Sequence, residues 1–211
     1  MHFILPYFII LLIVLQFAIK KGTRNYKARN EEFLDRETKA NQVRRKDISN
    51  LNYISIPDNL PLINSGNEVF DRLIADNAQM KRAYDMIQSL RDKKILNLTG
   101  ISNTELKLSY GVANLNDLTE YDDNFTSLAK AVASIGHNLL EYNDIEDAAS
   151  YLEYGISIKS DISSNYIDLA IIYASTERKD QIPALKDKAS TLKSLSRNSI
   201  LTQLEDIMAN K

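Results

Sequence analysis

Two histidines, His2 and His137, and two knots of carboxylates, Asp122 with Asp123 and Asp144 with Glu146 and Asp147, are the side chains here best suited to acid–base or metal chemistry. Neither histidine has a neighbouring histidine or cysteine to complete a metal set, and the chain has no cysteine at all. The carboxylates lack the donor spacing of a calcium loop. They fall where helices are expected to begin, and negative charge there suits the partial positive charge of free amides. Capping and solvation explain them better than hydrolysis or divalent-ion binding. No GxGxxG, GxxxxGK[ST] or HExxH pattern occurs, so dinucleotide, P-loop and zincin chemistry lack their usual supports. The eleven tyrosines fall mostly on apolar stripes, which makes them packing residues with the hydroxyl at an edge. No catalytic residue, no metal site and no cofactor is expected, and the protein is not expected to be an enzyme.

The elements that would position any other function divide by charge. From Lys20 to Lys46 there are ten basic and four acidic residues, and from Asp47 onward sixteen basic and twenty-four acidic. An acidic body is a poor surface for phosphate backbones, so nucleic acid is not an expected partner. The basic zone follows an apolar opening, "MHFILPYFIILLIVLQFAIKK", in which residues 3–19 carry no charge. A helix of that length covers about 25 Å, close to a hydrocarbon layer of roughly 30 Å. Residues 1–22 therefore read as a transmembrane anchor. A cleaved signal would want a basic start and a small-residue exit, and this segment has neither. Lys20, Lys21, Arg24, Lys27 and Arg29 are then expected at lipid headgroups. Their bias places the amino terminus outside and the body in the cytoplasm, a single-pass arrangement in the cell membrane.

Residues 23–50 read as a charged juxtamembrane helix held by pairs three and four apart. Residues 51–66 contain Pro57 and Pro61, which forbid a continuous helix and predict an extended connector packed on the body. The helical body is expected over 67–211. Val69, Phe70, Leu73, Ile74, Met80, Tyr84, Ile87 and Leu90 predict two helices meeting near 76–78. Ser102 and Glu105 have capping-box spacing, and the helix they open is expected to stop before the acidic "EYDDN".

Two amphipathic stretches, "FTSLAKAVASIGHNLLEYN" and "DIEDAASYLEYGISI", then form a hairpin, and "SSNYIDLAIIYASTERKDQIPALKDKASTLKSL" repeats the plan. Ile135, Gly136 and Leu139 in the first helix, and Ala148, Leu152 and Gly155 in the second, resemble the tetratricopeptide repeat. Leu169, Ala170, Tyr173 and Ala189 match one repeat later, whereas Ser160, Ile182 and Lys186 depart from the pattern. The resemblance implies an all-α fold, a tetratricopeptide-like stack of antiparallel helical hairpins. The best repeat is 128–161, a partial one is 162–195, and 197–209 is a capping helix. The layout also resembles small membrane-anchored clostridial-type proteins of unassigned function.

In such a stack the first helices line a groove. Carried onto this chain, its positions are Lys130, Ala133, His137, Leu140, Glu141, Ser164, Ile167, Ile171, Ala174 and Ser175. That set lacks the several cations needed to clamp a phosphate or carboxylate, so a short apolar or helical segment is the expected guest, the chain's own Tyr53–Leu62 among the options. The expected function is a membrane-anchored scaffold or adaptor, with partners in the bilayer through residues 3–19 and in an unidentified protein or peptide. A self-associating structural membrane protein, a homo-oligomer, and an enzyme with an unrecognised helical site stand as alternatives.

Overall fold

The computed structural model describes residues 4–61 and 68–209, with the side chains of 4–6, 8, 9 and 69 excepted. Among the described residues the fold is all-α, with nine helices and no strand. They are α1 (Ile4–Asn41), α2 (Glu68–Asp76), α3 (Ala78–Leu90), α4 (Asn103–Tyr110), α5 (Leu115–Glu141), α6 (Ile145–Ser157), α7 (Ser163–Ser175), α8 (Ile182–Ser190) and α9 (Arg197–Ala209). The chain divides into two compact units. One joins the residues up to Asp47 to Ser102–Leu115, and the other comprises Ile48–Ile101 and Asn116–Lys211.

In the first unit, α1 runs past Gly22 without a break to Asn41. Its carboxyl-terminal end is tied to α4. Glu37 accepts from Thr104 at 2.7 Å and pairs with Lys107, whose ammonium also reaches Asn41. The hydrogen bonds from Lys107 and Thr104 hold the Glu37 carboxyl below the usual carboxylate range. Helix α4 opens on the capping box Ser102–Glu105. It ends at Gly111, whose φ of 89° suits glycine and whose Cα lies so close to the Arg44 carbonyl that a Cβ would meet it at 2.2 Å. Buried Asn114 then stitches the turn, accepting from Arg45 and donating to the carbonyls of Lys46 and Tyr110.

The expected anchor at 1–22 is overturned. Among the described residues, no helix is long and apolar enough to cross a membrane. The uncharged run at the start of α1, interrupted by Gln16, stops at Ile19. Lys20, Lys21, Arg24 and Lys27 follow at once. Residues 1–3 of the expected span lie outside the described residues. With the anchor go the bilayer as a partner, the single-pass membrane location with its outside-to-inside orientation, and the headgroup role of Lys20, Lys21, Arg24, Lys27 and Arg29. Those five cations are exposed along α1.

The second unit holds the main core. Helices α2 and α3 meet at Asn77, which caps α3 by accepting from the amides of Gln79 and Met80. Helix α5 is longer than expected. It starts after Gly111 and runs through the acidic "EYDDN", where Asp122 and Asn124 find partners on the neighbouring loop. Asp122 accepts from the Leu98 amide at 2.9 Å, and Asn124 donates to the Lys94 carbonyl at 3.0 Å. One side of α5 is buried from Leu118 to Leu139. Close backbone approach fixes the next contacts. A Cβ on Gly136 would fall 2.7 Å from Leu152 of α6, and one on Gly155 the same distance from Asn165 of α7. Pro183 sits in the first turn of α8, where its missing amide costs no helical bond.

Candidate interaction site

Helices α5 and α7 carry the ten groove positions named from the sequence, and one polar contact joins the two helices on that side. His137 Nδ1 lies 2.8 Å from Asp168 Oδ2, and His137 Nε2 lies 3.5 Å from Glu141 one turn along α5. With a proton on Nδ1, the imidazole donates to a carboxylate that is itself buried. The ring is thus committed to holding two helices in register.

Around this bridge the surface is mixed. Lys130, Glu141, Ile171 and Ser175 are exposed, and Leu140, Ser164, Ile167 and Ala174 are half-buried. Ala133 is 4% exposed and faces the core, so it is no part of a surface. Ile171 is 45% exposed in a helix whose other large apolar side chains are mostly covered. The repeat resemblance alone named these positions. It missed Asp168, because nothing in the local pattern says that an acid thirty-one places from His137 will stand opposite it.

A cavity of about 300 Å³ lies between α6, α7 and α8, at the small end of the range for ligand pockets. Ile156, Leu169 and Leu185 give it an apolar lining, with Glu153, Tyr173 and Lys188 at its edge. Glu153 is already engaged, accepting from the Tyr173 hydroxyl at 3.0 Å and from Arg178 at 3.3 Å. Arg178 also stacks over the Tyr173 ring. Burial, with the Glu153 charge adding to it, pushes the Tyr173 phenol up to about 12. Among the described residues no group of three or more histidine, cysteine, aspartate or glutamate side chains stands ready for a metal ion.

The proline-containing segment lies elsewhere than on the α5–α7 positions. Tyr151 and Tyr154 of α6 donate to the carbonyls of Pro61 and Ser55, and Arg91 beyond the end of α3 pairs with Asp58. Leu62, the last residue of the guest considered from the sequence, lies outside the described residues. Tyr151 and Tyr154 read as packing residues in the sequence. No signal in the sequence ties them to a segment ninety or more residues earlier.

No protein-family model matches the chain, and no curated protein or solved structure matches it either. The likenesses to the tetratricopeptide repeat and to clostridial-type membrane proteins are therefore not upheld, and the tetratricopeptide-like stack is withdrawn with them. The physical grounds agree. A 27-residue α5 is followed by a 13-residue α6, and the second hairpin is broken by a 3-10 turn before a nine-residue α8, so the helix pairs have no common length. What stands is an all-α packing of helices without an assigned family.

Proposed function

We propose that the second unit is a non-catalytic recognition domain that holds a short apolar or helical segment of another protein on the α5–α7 face. The observation that carries this reading is the His137–Asp168 bridge, which joins α5 to α7, with Leu140, Ile167, Ile171 and Ala174 left partly open on the same two helices. Partly open aliphatic groups flanked by polar ones are what a helix or short apolar strand covers when it docks. The reading needs no membrane anchor and no scaffold of repeated units. The absence of catalysis is part of the proposal.

Photo-crosslinking in native cells tests it, with the reactive group placed at Ile171 or, as a control, at exposed Glu146 on α6. The expected result is a discrete adduct from position 171 that Ile167→Glu abolishes. Equal adduct patterns from 171 and 146 would sink the reading.

A further inference from the structure

Residues Ile54–Pro61 cross the second unit without helix or strand, turning at Asp58 and Asn59, and much of what holds them reads backbone. The Tyr154 hydroxyl donates to the Ser55 carbonyl at 3.1 Å and the Tyr151 hydroxyl to the Pro61 carbonyl at 2.7 Å. The Ile54 amide donates to the Ile95 carbonyl at 2.9 Å. Two hydroxyls three residues apart share one helix face, so α6 offers a pair of donors to any chain laid across it. Proline fixes φ in such a chain and so lowers the entropy lost when it docks.

The same face carries donors that the resident segment does not use. Arg91 reaches Asp58 through Nη1 at 2.8 Å and Gln88 Oε1 through Nε at 2.9 Å. Its Nη2 and the Nε2 of Gln88 are buried with no hydrogen-bond partner among the described residues. A buried donor left unmade is costly, and a guanidinium is built to take both oxygens of a carboxylate. Asp58 presents one oxygen from a side chain that is 99% exposed. A glutamate in its place is one methylene longer and would carry both oxygens to the fork.

We propose that the face built by Gln88, Arg91, Tyr151 and Tyr154 is a docking site for a proline-containing peptide of a partner protein that turns across it and sets a glutamate on Arg91. Residues Ile54–Pro61 are its resident competitor. The resident also shows what else the guest needs: Leu60 is buried and Ile54 and Ile56 are half-buried, so aliphatic side chains belong at those places. Burial raises the Tyr154 phenol to about 12 and that of Tyr151 further, so both remain donors at physiological pH. This site is separate from the α5–α7 face and does not depend on it.

Tethering gives the resident an effective concentration in the millimolar range, so a guest is best seen once the resident is weakened. The test is calorimetric titration of the full chain and of Asp58→Ala with two synthetic peptides. One is Ile-Ser-Ile-Pro-Glu-Asn-Leu-Pro, and the other is the same peptide with aspartate at the fifth place. Asp58 is almost wholly exposed, so the variant should fold, and Asp58→Asn serves equally if it does not. The glutamate peptide is expected to bind Asp58→Ala about tenfold more tightly than the unaltered chain, and more tightly than the aspartate peptide does. Tyr154→Phe in the Asp58→Ala background is expected to weaken it severalfold. Three results overturn the proposal: no saturable binding to Asp58→Ala up to about 1 mM, equal affinity for the altered and unaltered chains, or indifference to Tyr154→Phe.

Discussion

Helices α1 and α5 are the two long ones, 38 and 27 residues, and they treat apolar side chains in opposite ways. In α5 the large apolar residues Leu118, Phe125, Leu128, Val132, Ile135 and Leu139 recur three, four or seven apart, and none is more than 3% exposed. In α1 the residues Ile10 to Leu15 are consecutive, so they ring the helix, and their exposures run from 43% to 62%. The comparison teaches that period governs burial more than summed hydrophobicity does. A stripe can be covered by one layer of neighbours, whereas a ring needs cover on every side. Helix α1 instead makes its described attachments at its far end, through Glu37, buried Ala40 and Asn41.

The sharpest way to break this comparison is Leu139→Ala. Leu139 is 0% exposed within the main core, so truncation should cost about 2–5 kcal/mol, from lost transfer energy together with the cavity left behind. Chemical denaturation followed by helical circular dichroism reads the loss, and a cost below about 1 kcal/mol would show that the α5 stripe does not carry the core.

A smaller effect separates the first unit by its chemistry. Because the Glu37 carboxyl is held below its ordinary value by Lys107 and Thr104, the folded state favours its charged form. Its contribution is complete above the ordinary glutamate value near 4.3 and is lost as pH falls through the folded value. Glu37→Gln should flatten that part of an acid melt, and parallel acid profiles for the two proteins would remove the ion pair from the account.

The smallest effect is expected at Leu15→Ser on α1. This side chain is 52% exposed, so stability should move by no more than about 0.5 kcal/mol. A loss comparable to that of Leu139→Ala would mean that something covers the ring.

Much of the secondary structure was legible in the residues. The Ser102–Glu105 box, the junction at Asn77 and the apolar stripe of α5 depend on neighbours three or four places away, which is the distance over which sequence pattern speaks. The extent of α5 was not legible, because Asp122 and Asn124 continue a helix only when the loop at 94–98 supplies their partners. The apolar opening suggests a membrane span from composition, yet among the described residues no helix is long and apolar enough to cross one.

The residue order by itself determined that this chain is helical, where several helices begin, and which faces of them are oily, since those follow from backbone propensity and local spacing. The tertiary structure alone decided that His137 meets Asp168 and that Tyr151 and Tyr154 hold the backbone of the 54–61 segment. Those pairings join residues far apart in the chain. They exist because close packing at Gly136 and Gly155 sets helix against helix at one register, and no local pattern encodes that register.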